Sequence, residues 1–447
     1  MNRHTVSEII DQLGVSKYTW KNYLLIGLAL IFAGYSYMII SFTMPQMAGE
    51  WSLTKVQTGS LSSWSLIGLL IGGMAAGVIS DRIGRKKTFI GAIVVFAVFT
   101  FPIYFVESFA AFAILRVLGG LGFGACIPIS ITWVAESAPA QKRGVFTASI
   151  MSWYVLGWIM AGVAAIYIIP NFGWRVCYLL SGISFLYVPV LLFALLESPH
   201  WLLGKGKERE AIEVVKQIEI LAQGKANEYK PGSLVAPPPP PKVGVGAIFS
   251  ADYRKATLTL WTVYFMGSVI IYGINGWLPT LMLEKGYGLA KGYTFAIMQN
   301  LFGAIGSVCT GYTADIIGRR KNVIFGWAFT AVAVLAFGFV TNQWLVVILA
   351  SVMGFAINWG LSGTQIPLAE GYPTEFRSTG VSWAQSFGRV GGFFSPIVGG
   401  YVLQMGAGFT GIIILYAIPA VIAALVAFFF LAETKGKNFA TNTVAKV

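Results

Sequence analysis

The sequence predicts an all-α membrane protein of twelve transmembrane helices, arranged as two pseudo-symmetric six-helix halves. Three observations carry that expectation: an apolar composition with few charges, a series of apolar runs of bilayer length, and two motifs that recur at one fixed offset.

Of the 447 residues, 56% are hydrophobic and 11% charged, and the mean hydropathy is +0.72. A soluble domain carries about 25% charged residues, so most of this chain needs lipid as its solvent. At about 20 residues per span there is room for roughly a dozen helices and their loops. The formal net charge of +13 would suggest nucleic acid in a soluble protein. Here charge position relative to the spans matters more than the sum, and no nucleic-acid partner is expected. Cys126, Cys177 and Cys309 fall in apolar runs without metal or disulfide spacing. His4 and His200 lie outside those runs. No metal, no cofactor and no catalytic cluster is therefore expected, which argues against a membrane-embedded enzyme. A nutrient sensor would carry larger cytoplasmic extensions than this loop and tail.

The apolar runs fall at about 22–45, 57–80, 88–106, 109–133, 145–169, 175–196, 256–282, 292–313, 322–340, 343–368, 380–404 and 409–431. Helices suit lipid because each satisfies its own backbone hydrogen bonds, and the runs are too long and evenly apolar for barrel strands. Residues 1–21 are polar and precede a full-length span, unlike a cleavable signal. Within them Val6, Ile9, Ile10 and Leu13 follow helical spacing, which predicts a short interfacial helix, with a partly ordered tail as the alternative. Placing both termini in the cytoplasm puts 25 of the 31 Lys and Arg residues on that side. Lys55, Arg175, Lys285 and Lys291 then lie outside, and Arg116 and Arg389 lie within spans. The positive-inside rule favours this orientation. A multi-pass plasma (inner) membrane protein in contact with the lipid bilayer is expected, and a monomer.

Residues 203–250 form the one long polar segment, with an amphipathic run around Ile212–Leu221 and five prolines, Pro237–Pro241, suited to a stiff spacer. The organisation expected is a cytoplasmic arm (1–21), a six-helix half (22–202), this linker (203–250), a second half (251–433) and a tail (434–447).

The repeat carries most weight. Gly77-x-x-x-Asp81-x-x-Gly84-Arg85-Lys86-Lys87 recurs as Gly311-x-x-x-Asp315-x-x-Gly318-Arg319-Arg320-Lys321, 234 residues later. Glu136-x-x-Pro139-x-x-x-Arg143 recurs as Glu370-x-x-Pro373-x-x-x-Arg377 at the same offset of 234. Parallel repeats about an axis along the membrane normal are a transporter architecture.

At these loops the chain resembles the major facilitator superfamily, along its whole length. Glycine permits the tight loop, the carboxylate can cap a helix N-terminus, and the arginine can pair with an acid on another helix. The resemblance implies a latch on the cytoplasmic gate in the outward-facing state. Its parts would be Asp81, Arg85, Glu136 and Arg143, with Asp315, Arg319, Glu370 and Arg377. Asp81 would face the start of the eleventh span and Asp315 that of the fifth. Arg85 would reach Glu136, and Arg319 would reach Glu370. The alternative is that these basic loops only set topology.

Arg116-x-x-x-Gly120-x-Gly122-x-Gly124 resembles the superfamily's second signature, which implies proton coupling through Arg116. An arginine about two turns from the outer end could also snorkel outward. The fifth span has Gly157 and Gly162 but lacks the Gly-Pro pair of the family's drug antiporters. Glu197-Ser198-Pro199-His200-Trp201-Leu202 and Glu433-Thr434-Lys435-Gly436 resemble the span ends of sugar porters and of the organic-acid and niacin branches. Tyr272-Gly273-Ile274-Asn275-Gly276-Trp277-Leu278-Pro279 resembles the seventh span of aromatic-acid symporters.

Arg389 lies about ten residues into the eleventh span, roughly 15 Å deep at 1.5 Å per residue. An ionisable group there marks a functional site by default. Its segment resembles that of organic-anion transporters, which implies a carboxylate ligand. None of the 18 acids falls near a span centre, so an anionic substrate would supply the missing charge, and Arg forms a fork with carboxylate. A structural arginine held by backbone carbonyls is the alternative. Further candidates for substrate contact are Asn275, Asn358, Gln365, Gln385, Tyr37, Trp153 and Tyr272; several share helix faces, as do Asn358, Ser362 and Gln365, or Ser149, Trp153 and Gly157. The first span reads Gly34-Tyr35-Ser36-Tyr37-Met38-Ile39, without the aspartate of many organic-acid symporters. The reading is a secondary transporter for a small organic anion, a monocarboxylate with or without an aromatic ring, moved with a proton by alternating access. A sugar or other neutral solute, and facilitated diffusion or anion exchange, stay open.

Overall fold

The computed structural model describes residues 4–235, 245–340, 342–373 and 377–435. Pro237–Pro241 and most of the tail lie outside the described residues. Among the described residues, α1 (Val6–Leu13) precedes the long helices α2 (Lys17–Glu50), α3 (Lys55–Ile83), α4 (Arg85–Thr100), α5 (Phe109–Ser137) and α6 (Ala140–Phe172). The sixth span is α7 (Val176–Ser181) plus α8 (Ile183–Ala194). Helix α9 (Pro199–Gly204) crosses the boundary into the linker, and α10 (Glu208–Gln223) lies within it. The second half is α11 (Arg254–Glu284), α12 (Leu289–Ile317), α13 (Arg319–Phe339), α14 (Gln343–Glu370), α15 (Arg377–Gln404) and α16 (Gly408–Phe430). Each of the twelve predicted spans coincides with these helices to within six residues at either end.

Ten of the spans are long and apolar enough to cross a bilayer by composition alone; α12 and α15 fall short. The shortfall has a chemical cause. In α15, Gly380, Ser382, Gln385, Ser386, Gly388 and Arg389 stand where other spans carry aliphatic side chains, and α12 buries Gln299 and Asn300.

The chain forms two compact units. Unit 1 comprises residues 1–39, 68–161 and 172–239, and unit 2 comprises 40–67, 162–171 and 240–447. In unit 1, α3, α5 and α6 approach their neighbours backbone to backbone. A Cβ on Gly68 would lie 1.9 Å from the Val117 carbonyl oxygen, and one on Gly34 would lie 2.1 Å from that of Tyr154. In unit 2, α12 packs along α14, α11 along α15, and α13 against α14 and α16. The far ends of α2 and α3 belong to this unit. The Tyr293 hydroxyl donates to the Phe42 carbonyl at 2.6 Å, Lys55 pairs with Glu284, and the Trp277 indole donates to the Pro396 carbonyl at 2.8 Å.

The N-terminal arm is a helix, as its spacing predicts, but its apolar stripe is covered by protein. Thr5 and Glu8 form a capping box. Val6, Ile9 and Ile10 are buried against Leu202, Ala211, Ile212 and Val215. The preceding strand β1 (His4–Thr5) pairs in parallel with β2 (Leu234–Val235) in the linker. Asp11 then accepts from the first amide of α6, Ala140, at 2.6 Å. The amphipathic linker helix α10 offers the arm an apolar partner, so the interfacial placement expected from the stripe gives way to a small module of arm and linker.

Candidate functional site

The two repeated loops build the same charged cluster twice. Gly84 and Gly318 turn at φ 105° and 93°, where a side chain would be strained, and open α4 and α13. Neither helix has a side-chain cap of its own at that glycine. A distant carboxylate takes the place. Glu197 Oε1 accepts from the amides of Arg85 at 2.8 Å, Lys86 at 3.0 Å and Ser198 at 2.9 Å. Glu433 accepts from Arg319 at 2.9 Å, Arg320 at 3.2 Å, and Thr434 and Lys435 at 3.0 Å. Partial burial pushes the Glu433 carboxyl up, but these four amides outweigh it and hold it below the usual carboxylate range.

Arg85 pairs with Asp81 at 2.6 Å and with Glu136 at 3.5 Å, and Glu136 accepts from Ser198 Oγ at 2.5 Å. In the copy, Arg319 pairs with Asp315 at 2.9 Å and with Glu370 at 3.0 Å, and Glu370 accepts from Thr434 Oγ1 at 2.5 Å. Arg319 also donates from Nε to both Glu370 oxygens, at 3.1 and 3.2 Å, so the second pair is a fork and the first is looser. The Arg–Glu pairs are those the resemblance implies. Asp81 and Asp315 are 73% and 74% exposed and pair within their own loops. Arg143 lies beside His200, whose imidazole is pushed down to about 4 by burial, then by Arg143 and Arg85. Arg377 donates to the Tyr372 carbonyl at 3.3 Å. Sequence reading left Glu197 and Glu433 out of this cluster; a Glu-Ser/Thr pair ending both halves was the available signal.

Inside unit 1, Arg116 is 1% exposed and does not snorkel. It donates to the Ser36 and Tyr37 carbonyls at 2.8 and 2.9 Å and lies 5.7 Å from the Phe123 ring. Tyr37 sits in an aromatic group with Phe123, Tyr154 and Trp158. The Ser149–Trp153–Gly157 face is the seam of α6 on α2. Ser149 accepts from Tyr23 at 2.8 Å, Trp153 lies against Gly27, and Gly157 faces the Ile31 carbonyl. Trp153 is therefore not grouped with Tyr37.

Inside unit 2, Arg389 is half-buried at the middle of α15 and makes no hydrogen bond or ion pair with any described residue. Tyr264 and Tyr272 lie within its electrostatic reach. Tyr264 and Ser268 fill the notch at Gly388, and Tyr272 fills that at Gly392, which fixes α11 against α15 around the guanidinium. Gln385, one turn before Arg389, is half-buried, and Gln365 is exposed. Asn275 accepts from Gln299 Nε2 at 2.9 Å, and Gln299 Oε1 is buried without a partner. Asn358 donates to its own helix at Gly354, 3.1 Å, and lies against Gly303. Gln299 was not among the predicted residues, because α12 offers no motif around it. Among the described residues no His, Cys, Asp and Glu cluster could hold a metal.

The chain matches the family model described as Major Facilitator Superfamily over residues 26–309 and 292–446. Among curated proteins it is similar to the Niacin transporter NiaP of Acinetobacter baylyi, 28% identical over 96% of this chain and 97% of that protein. It is also similar to the 4-hydroxybenzoate transporter PcaK of Acinetobacter baylyi, 31% identical over 94% of this chain and 93% of that protein. Among solved structures it is similar to the partially occluded inward open conformation of the xylose transporter XylE from E. coli. That likeness has a TM-score of 0.74 at 20% identity, covers 95% of this chain and 100% of that one, and is a likeness of fold.

Proposed function

The chain belongs to the major facilitator superfamily of integral membrane transporters, and from that premise we propose that it carries a small aromatic monocarboxylate, by alternating access and with a proton. The observation that carries the reading is Arg389: a half-buried cation in mid-span without a partner among the described residues. Niacin and 4-hydroxybenzoate, the compounds in the two relatives' names, each carry one carboxyl on one ring. Arg389 would take the carboxylate, with Gln385 beside it and Tyr272 and Tyr264 bounding the space. Asn275 with Gln299, Asn358 and Gln365 would supply further polar contacts. The six-helix halves separated by the linker, termini in the cytoplasm, a plasma-membrane location and a monomer complete the proposal.

The test compares a carboxylate with its neutral amide. A charge-assisted hydrogen bond contributes about 1.5–3 kcal/mol net, so Arg389→Ala should weaken acid binding at least about tenfold and abolish the preference over the amide. Arg389→Lys should recover part, because ammonium keeps the charge without the planar fork. A well-folded Arg389→Ala protein that still discriminates acid from amide as wild type does would make Arg389 structural. For the proton, no span centre carries an acid, so coupling would run through chemistry linked to Arg116, through a gate acid at a helix end such as Glu136 or Glu370, or through the substrate itself. Strong driving of a permanently charged anion by an imposed pH gradient would exclude the substrate as sole carrier.

A further inference from the structure

Two cavities meet on unit 1 where α4 begins, beside the Asp81–Arg85–Glu136 cluster, with Glu197 in the wall of one. One, of about 630 Å³, lies among the start of α4, the end of α8 and helices α9 and α10, and is lined by Lys86, Lys87, Lys207, Trp201 and Leu192. The other, of about 470 Å³, runs between α3, α4 and α5, and its walls are almost wholly apolar from Ile71 to Ile83 and on to Val95. Lys87 and Gly91 line both, so the two adjoin at the first turns of α4.

The dimensions and charges suit one kind of occupant. From Ile83 back to Ile71 is about 18 Å of helix at 1.5 Å per residue, and one leaflet of a hydrocarbon core about 30 Å thick is about 15 Å. The groove is thus one leaflet deep and ends at a lysine. Its backbone walls are close-set: a Cβ on Gly72 or Gly122 would lie 2.0 Å and 2.4 Å from the carbonyl oxygens of Leu121 and Ala92. Gly91 differs, since a Cβ there would meet nothing within 4 Å. Its missing side chain leaves the junction of the two cavities open. At the polar end, Lys86 Nζ is anchored on the Leu192 carbonyl at 2.7 Å, and Lys87 is exposed without a hydrogen-bond or ion-pair partner among the described residues. Lys207 is paired only with exposed Glu210, at 2.9 Å, and Glu197 already serves backbone amides. The Trp201 indole, bonded to the Asp81 carbonyl at 2.9 Å, has the amphipathic character of a residue at the headgroup level.

We propose that this is a binding site for an anionic phospholipid, with an acyl chain in the α3–α4–α5 groove and the phosphate on Lys87, flanked by Lys207 and Lys86. The probe is native mass spectrometry of the purified full-length protein with phosphatidylglycerol, with phosphatidylcholine of the same chains, and with free glycerol phosphate. A lysine near an anionic headgroup is worth about fivefold in affinity, so two contributing lysines should give phosphatidylglycerol an advantage of about 25-fold. Lys87→Ala with Lys207→Ala should erase that advantage while leaving phosphatidylcholine retention unchanged. Gly91→Leu should lower retention of both lipids without lowering the melting temperature, because its side chain enters open space. Equal retention of the two lipids by wild type, or undiminished retention by Gly91→Leu, would overturn the proposal. So would displacement of the lipid by equimolar glycerol phosphate, which would make this a site for a free anion.

Discussion

Glu197→Gln isolates the electrostatic part of the cap on α4. The substitution keeps an acceptor oxygen of the same shape and removes the charge. One carboxylate oxygen now accepts three amides, two of them the first of α4, at 2.8 and 3.0 Å. Hydrogen bonds to a charged group are worth about 1.5–3 kcal/mol and neutral ones about 0.5–1.5. Because three donors share one oxygen, a combined loss of about 2 kcal/mol is a fair figure, near 30-fold in an opening equilibrium. Opening of this kind is local and is read by amide hydrogen exchange. Exchange in a peptide covering residues 84–88 should therefore accelerate about 30-fold, with the copy at 318–322 unchanged. Glu433→Gln should give the mirror result. Unaltered exchange at 84–88 in a folded Glu197→Gln protein would refute the reasoning, since it would mean that solvent or the helix itself satisfies those amides.

Other outcomes follow from the same geometry. Arg319→Lys should lower the melting temperature more than Arg85→Lys, because the fork onto Glu370 is replaced by a point charge while Arg85 touches Glu136 only at 3.5 Å; equal losses would contradict this. Gly68→Ala should destabilise by about 1–3 kcal/mol through overpacking, as its Cβ would lie 1.9 Å from the Val117 carbonyl, whereas Gly91→Ala should be silent by thermal melt. His200 is held at about 4 in the folded chain, below its free value of about 6.5. The unfolded state then binds more protons between those values, so this residue's contribution is complete above pH 6.5 and is lost as pH falls toward 4. A His200→Gln protein should show a flatter melting temperature across that window; the same slope as wild type would exclude His200 as its source.

The twelve spans were legible because lipid imposes length and apolarity at once, and even α15 could be read as an apolar run despite Arg389 and its glycines. The Arg85–Glu136 and Arg319–Glu370 pairs were legible through the resemblance of the repeated loops to those of the superfamily, which both copies carry at the same offset. The caps were not, because their partners are backbone amides, which leave no side-chain signature 112 residues from Glu197. The burial of Val6, Ile9 and Ile10 shows the same limit. A helical stripe states that something apolar covers it, and does not state whether that is lipid or α10. At Arg116 the sequence offered a snorkelling arginine or a coupling one; the Ser36 and Tyr37 carbonyls gave the guanidinium a buried destination that no spacing encodes.

The two caps also carry a record of how the chain came to be doubled. Asp81 and Asp315, Arg85 and Arg319, Glu136 and Glu370, and Arg143 and Arg377 are all 234 residues apart, but Glu197 and Glu433 are 236 apart. Two residues were therefore gained in one copy, or shed from the other, after Arg143 or Arg377. The cap contacts nevertheless stand at 2.8 Å and 2.9 Å from the amides of Arg85 and Arg319. Chain length drifted between the ancestral halves while the carboxylate kept its place. A chimera that exchanges the halves, or fuses two copies of one, should accordingly be joined by matching Glu197 to Glu433 rather than by counting a constant register from the glycine loops.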